Sequence, residues 1–420
     1  MDKFLVTKSK LSGTVKISGS KNAALPIMAA TLLTKEKCVI ENVPNLKDIT
    51  TMIKILEGLG KKIDFKNGNL IVEARKSKSY VAPYRLVKTM RASFCCLGPL
   101  LAKRKKAKVA LPGGCVIGPR PVDLHIKGLA NLGADISIEQ GYCQAKTKKL
   151  KGNHIYLGGP FGSSVLATAN VMMAAILAEG ETLIEHAACE PEIKSLGHFL
   201  KKMGANIEGF GTPSIKIKGV THLGGCQFQI IPDRIEAGTF IAASLATGSQ
   251  IKIEDINPKH LTSVFETAKK IGAKIIVSSN AKSIKVKPPK KLKAINITTL
   301  PYPGFPTDLQ AQFMVCLAKA KGISLINEKI YPDRFMHVAE LNRMGALIQK
   351  TGPYAIIEGQ KTLQGAELMA SDLRASAALV IAGLAAEGES KISRIYHIDR
   401  GYENIEKKLR NLGANIKRIK

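Results

Sequence analysis

The sequence predicts an α/β protein of two domains built from six βαβαββ repeats, three to a domain. Three observations carry this. The chain has 420 residues, beyond the ~250–300 at which a single hydrophobic core stops growing. A short motif also recurs along it: an apolar residue, Gly, usually Ala, one more residue, then Ile. It reads LGKKI at Gly60, LGADI at Gly133, MGANI at Gly204, IGAKI at Gly272, MGALI at Gly345 and LGANI at Gly413. The intervals are 73, 71, 68, 73 and 68 residues, close to one sixth of the chain. Finally, the last repeat lacks one strand and the N-terminus has one to spare.

In chain order, the spare strand is Phe4–Thr7, ahead of Thr14–Ile17. Each unit then offers a short strand, a helix such as Val165–Ala178 and a strand such as Thr182–Glu185. A loop and a second helix follow, ending at the repeated Gly, which suits the left-handed position after a helix. Two strands close the unit through a turn: Asn67-Gly68 in the first, Gln140-Gly141 in the second, Gly209–Gly211 in the third. The chain stops just after Asn415–Ile419, so the partner strand has to come from Phe4–Thr7. The chain ends therefore meet. The expected domains are 19–226, carrying the loop around Cys115, and 1–18 with 227–420.

Composition narrows the function. The 45% hydrophobic content excludes a mostly disordered chain. The formal charge of +30, from 63 Lys+Arg against 33 Asp+Glu, suggests an anionic partner. Yet the basic runs Lys103–Lys106 and Lys148–Lys151 have no interleaved aromatics, and no RNA-binding signature is present, so no nucleic-acid partner is expected. The apolar stretches Val165–Leu177 and Ala375–Ala386 are interrupted and shorter than the ~20 residues that span a bilayer. No membrane partner is expected either. Eight scattered Cys without a CxxC pair, and eight His without HExxH, give no metal site. No Walker A or GxGxxG sequence calls for a nucleotide cofactor. The N-terminal MDKFLVTKSK is no signal peptide, which points to the cytoplasm.

The loop after the third element of each unit falls in one structural position, and three of these loops carry Cys or Arg. Unit two has Cys115 and Arg120, unit five Asp333-Arg334, unit six Asp399-Arg400. They suggest a cleft shared between the domains. Cys115 lies among Gly113, Gly114 and Gly118, and Arg120 would lower its pKa and make it reactive. Cys38, Cys95, Cys96 and Cys316 sit in apolar stretches and read as core residues. Ser18-Gly19-Ser20-Lys21-Asn22 opens a helix with a cap and a cation, either an anion site or plain capping. Arg91 interrupts an otherwise apolar helix. Thr307 and Gln310 read as a capping box and Ser371 as a cap, leaving Asp308 and Asp372 as first-turn partners of the helix dipole.

GSKNAALP at 19–26, KTMRAS at 88–93, LPGGCVIGPRPVDLH at 111–125, FPTDLQAQF at 305–313, DRFMH at 333–337, SDLRAS at 371–376 and YHIDRGYE at 396–403 form a set. Together they resemble the UDP-N-acetylglucosamine enolpyruvyltransferases of the EPSP synthase family, along essentially the whole chain. The resemblance implies an inside-out α/β barrel in two domains. It implies transfer of the enolpyruvyl group of phosphoenolpyruvate to the 3′-hydroxyl of UDP-N-acetylglucosamine, the first committed step of peptidoglycan synthesis, without cofactor or metal. Cys115 would be the general acid and Asp308 the general base, with Lys21 and Arg400 in the catalytic set. Phosphoenolpyruvate would meet Lys21, Arg120, Arg334 and Arg400, with Asn22 and Arg374 near. The nucleotide sugar would lie along Arg91, Arg120, Pro121, Val122, Asp123, Leu124, Ser164, Val165, Asp308 and Ile330, with Asp372 also in the site. One departure stands out: the family's Ser-Val-Gly-Ala-Thr is Ser164-Val165-Leu166-Ala167-Thr168 here, which adds bulk at the expected diphosphate loop.

Overall fold

The computed structural model describes residues 2–77, 79–88, 90–112 and 122–420. They fall into two compact units, one holding 2–18 with 232–420 and the other lying within 19–231. Among the described residues each unit has three four-stranded sheets of one plan. An edge strand runs parallel to its neighbour, and two antiparallel strands follow, joined as a hairpin in five of the six sheets. In one such sheet His154–Tyr156 lies parallel to Glu181–Glu185, which pairs with Ser214–Lys218, which pairs with Asn206–Glu208. The strand sequences explain the layering. In Ser214–Lys218 the two Ile are buried and Ser214 and both Lys face solvent, the period of two that a half-covered sheet demands.

The hairpin turns follow their residues. Asn67 and Gly68 have φ of 48° and 78°, and Gln140 and Gly141 have 51° and 75°. Two successive positive φ values make the primed turn that matches strand twist. All six motif glycines adopt left-handed φ, from 83° at Gly345 to 112° at Gly272. Each ends a helix where a side chain would be strained.

Six helices are almost wholly buried and lack an extended polar face. In one unit Lys21–Ala30 and Leu97–Arg104 pack with Val165–Ala175, and in the other Arg234–Thr247, Gln310–Leu317 and Leu373–Ala385 pack on one another. A helix without a polar face belongs inside a core. No helix among the described residues is long and apolar enough to cross a membrane. Lys21, Val165, Asp308 and Arg374 lie at or just before the N-termini of four of these buried helices.

Strand Lys3–Thr7 lies antiparallel between Glu389–Ser393 and Ile416–Ile419. Thr14–Lys16 runs parallel to Ile251–Glu254, and Gln227–Gln229 parallel to Cys38–Glu41. Residues 227–231 thus complete a sheet of the 19–231 unit, so the division falls after Ile231 and not after the expected 226. Phe4 joins the N-terminal strand to the core of its unit and is fully buried. Phe4→Ala is expected to lower stability by about 3–5 kcal/mol, read from urea unfolding.

Candidate active site

Asp308 occupies the middle of a charged cluster in the 232–420 unit. Its Oδ1 accepts from Arg334 Nη1 at 2.8 Å and its Oδ2 from Arg374 Nη2 at 2.8 Å. The two arginine side chains are 7% and 4% exposed, whereas Asp308 is 26% exposed. Asp308 is therefore the most exposed member of the trio. Burial alone would raise its pKa, but the Arg374 and Arg334 guanidiniums outweigh burial and hold the carboxyl well below the usual range. Arg374 also lies over the ring of Tyr402, at 5.3 Å.

The local chemistry differs from the capping expected for this segment. Thr307 does not cap the helix. It begins the short 3₁₀ turn Thr307–Leu309, its hydroxyl donates to Glu328 Oε2 at 2.9 Å, and it accepts from Arg334 Nη1 at 3.1 Å. Gln310 donates to the Arg334 carbonyl instead of closing a capping box. The buried Glu328 carboxylate and the Arg334 guanidinium compete better for the Thr307 hydroxyl than a helix N–H does. At 371–374 the cap is Asp372, not Ser371: its Oδ1 accepts from the N–H of Arg374 at 2.8 Å and of Ala375 at 3.1 Å. Asp372 thereby fixes the backbone that carries Arg374. Ile330 is held by its N–H on Glu328 Oε1, 2.9 Å. Arg400 ends the turn Ile395–Arg400. Burial and then its charge push His397 below the ordinary histidine value.

In the 19–231 unit Ser20 caps the helix Lys21–Ala30, so Lys21 and Asn22 occupy its first turn. Lys21 is buried and donates to Asp48 Oδ2 at 3.0 Å. A glycine is required just before it, because a Cβ on Gly19 would meet the Asn42 carbonyl oxygen at 1.8 Å. Arg91 starts the 3₁₀ turn Arg91–Cys96, not the interior of a helix. Val122 precedes the helix Asp123–Asn131, with Asp123 in its first turn. Leu124 packs over Gly159 of the hairpin Gly158–Gly159/Gly162–Ser163, which leads to Ser164. Ser164 caps the helix Val165–Ala175. The expected 122–124 and 164–165 contacts therefore border one another, and Leu166 turns toward the core. Cys115, Arg120 and Pro121 lie outside the described residues.

Cys38, Cys95, Cys96 and Cys316 are buried in the core, and among them a hydrogen bond with Cys226 lowers Cys38 to about 7. Burial raises Cys95 and Cys316 to about 12. No group of three or more metal-ligating side chains exists among the described residues.

In each unit the sequence reading missed residues that hold the candidate residues from behind. Asn170 is fully buried and donates to the Phe94 carbonyl at 2.9 Å and to His125 Nδ1 at 2.8 Å, while accepting from Gly98 N–H at 2.8 Å. It ties the segment after Arg91 to the helix after Val122. Burial first, and then Arg91, push His125 down to about 3, so it is neutral at physiological pH. Gln312 donates to the Tyr402 hydroxyl at 3.1 Å and to the Asp308 carbonyl at 3.0 Å. Glu328 was legible in principle: the inward positions of Ile323–Glu328 are Ser324, Ile326 and Glu328, a charge in an apolar phase.

Comparison with known proteins agrees with this architecture. The family model of EPSP synthase (3-phosphoshikimate 1-carboxyvinyltransferase) matches residues 5–409, and the chain belongs to that family. Among solved structures, the enolpyruvyl transferase NikO from Streptomyces tendae superposes with a TM-score of 0.89 at 22% identity, covering 99% of this chain and 98% of that one. EPSP synthase from Acinetobacter baumannii gives 0.77 at 20% identity over both full chains. These likenesses concern the fold. Curated relatives are more specific. UDP-N-acetylglucosamine 1-carboxyvinyltransferase of Methylacidiphilum infernorum is 52% identical over 420 residues, covering 100% of this chain and 99% of that protein. UDP-N-acetylglucosamine 1-carboxyvinyltransferase 2 of Carboxydothermus hydrogenoformans is 51% identical over all of both chains.

Proposed function

We infer that this chain is an enolpyruvyltransferase that moves the enolpyruvyl group of phosphoenolpyruvate to the 3′-hydroxyl of UDP-N-acetylglucosamine and releases phosphate. The observation that carries the inference is identity of about half over the whole length to relatives bearing that activity in their name. The Asp308–Arg334–Arg374 cluster supplies matching chemistry. Six sheets of one plan, with buried helices, favour the inside-out α/β barrel. A peptidoglycan precursor enzyme working on soluble nucleotide sugars fits the cytoplasm, and the proposal includes no nucleic-acid, membrane, cofactor or metal partner.

Phosphoenolpyruvate carries a carboxylate and a phosphate, and Lys21, Arg120, Arg334, Arg374 and Arg400 are the cations proposed to hold it, with Asn22. Arginine suits both groups because its donors form a planar fork. The sugar nucleotide is assigned to Arg91, Arg120–Leu124, Ser164, Val165, Asp308 and Ile330. In the addition step Asp308 takes the proton of the 3′-hydroxyl, its oxygen bonds to C2, and the Cys115 thiol delivers a proton to C3. Phosphate then leaves C2 while the new methyl group returns a proton to the Cys115 thiolate, which restores the C2–C3 double bond and gives the vinyl ether.

A carboxylate clasped by two guanidiniums is a weak base, so a base role needs the clasp to loosen. An arriving phosphate and carboxylate share Arg334 and Arg374 with Asp308 and draw positive charge from it. Binding of the anionic substrate thus raises the basicity of the group that must act next. The test of the functional reading is a comparison of acceptors. Phosphate release from phosphoenolpyruvate is expected with UDP-N-acetylglucosamine and not with 3-phosphoshikimate; the reverse preference would overturn it.

A further inference from the structure

We propose that Glu328 is a positioning residue for this reaction: through the Thr307 hydroxyl it fixes the Arg334 guanidinium against Asp308. The proposal rests on the functional reading above and adds a residue to it. Glu328 ends the strand Ile323–Glu328 and is fully buried. Its Oε1 accepts from Thr299 Oγ1 at 2.7 Å, from Ile330 N–H at 2.9 Å and from Tyr331 N–H at 3.0 Å. Its Oε2 accepts from Thr307 Oγ1 at 2.9 Å. Four donors converge on its two oxygens. Its side chain forms no ion pair among the described residues.

A buried carboxylate without a cation is costly, and apolar side chains of similar volume serve stability as well or better. What this carboxylate does provide is direction. Thr307 has a single hydroxyl proton. With that proton given to Glu328, its oxygen can only accept, and it accepts from Arg334 Nη1 at 3.1 Å. The other proton of the same nitrogen goes to Asp308 Oδ1 at 2.8 Å. Both Nη1 protons are thereby committed, and Nε and Nη2 donate to no partner among the described residues. Arg334 is anchored through Nη1, and Nε and Nη2 remain as donors for the proposed anion. Glu328 also secures Ile330, so one side chain sets two parts of the proposed site.

Glu328→Gln isolates the directional role. An amide oxygen can still serve Thr299, Ile330 and Tyr331, but the amide N–H faces Thr307 and reverses its hydroxyl, turning the proton toward Arg334. The variant is expected to lose about 10–100-fold in kcat, as small misplacements at a reacting centre do. The KM for UDP-N-acetylglucosamine should stay within about twofold, because the group acts on the reacting cluster and not on the nucleotide. Thr307→Val should fall similarly and Thr307→Ser should retain wild-type turnover. The double variant Glu328→Gln/Thr307→Val should be no worse than its poorer single, since both break one chain. Turnover of Glu328→Gln within twofold of wild type, or a double-variant loss equal to the product of the singles, overturns the proposal. Should Glu328→Gln not fold, the two Thr307 variants, which leave the other three bonds to Glu328 in place, decide it: equal activity of Val and Ser refutes it. A wild type that releases no phosphate with UDP-N-acetylglucosamine refutes the functional reading itself; an active wild type with an unaffected Glu328→Gln refutes only the positioning role.

Discussion

Asp308→Asn is expected to reduce kcat by about 10²–10⁴-fold, the range a positioned base is worth. Asn keeps the shape and one acceptor oxygen, so the loss reports the missing charge and basicity. The same change leaves Arg334 and Arg374 facing each other without the shared carboxylate. Removing one partner from a buried ion cluster costs about 3–5 kcal/mol, so the thermal midpoint should fall in the absence of substrate. Phosphoenolpyruvate, which supplies the lost negative charge, should restore it. Its affinity for Asp308→Asn should therefore equal or exceed that for wild type, because the carboxylate no longer competes for the two guanidiniums. A variant with normal kcat and weakened phosphoenolpyruvate binding would show that Asp308 merely shapes the anion site.

The pH dependence has a definite sign. Asp308 is held well below the usual carboxylate range by Arg374 and Arg334 against its own burial. Its contribution to stability is thus fully present above the unfolded pKa near ~3.9, and is lost as pH falls through the lower folded value. In kcat/KM, which reports the free enzyme, no acid limb from Asp308 is expected near pH 5–7.

Cys115→Ser is expected to be as damaging, by about 10²–10⁴-fold, if the thiol is the proton donor to C3. Ser matches its size but not its acidity. Cys115→Asp, which can be protonated and donate, should recover part of the turnover. The thiol should also form a covalent adduct with the epoxide fosfomycin, seen by mass spectrometry on the peptide that contains Cys115. Undiminished turnover of the Ser variant, or no adduct on that peptide, would remove Cys115 from the role.

Much of the architecture was legible because it rests on local rules. Glycine is the residue that tolerates the φ found at Gly60, Gly133, Gly204, Gly272, Gly345 and Gly413, so the repeat could be read directly from it. The site arginines were proposed by resemblance, not by spacing. Asp308 shows why. Its neighbours in sequence suggest a helix start, and nothing local reveals that Arg334 and Arg374, 26 and 66 residues away, close on it. Thr307 misled for the same reason, since its hydroxyl goes to Glu328 and not to the helix. Asn170 and Asp48 escaped notice because their partners are also distant. The boundary was misplaced by five residues because pairing of Gln227–Gln229 with Cys38–Glu41 is a long-range choice.

The most direct measurement is product analysis after mixing the protein with phosphoenolpyruvate and UDP-N-acetylglucosamine. The account predicts one phosphate released per acceptor consumed, and a vinyl ether on the 3′-oxygen of the sugar, identified by its two olefinic proton resonances. Phosphate release that does not depend on UDP-N-acetylglucosamine, or no 3′-vinyl ether despite an intact fold, would contradict it.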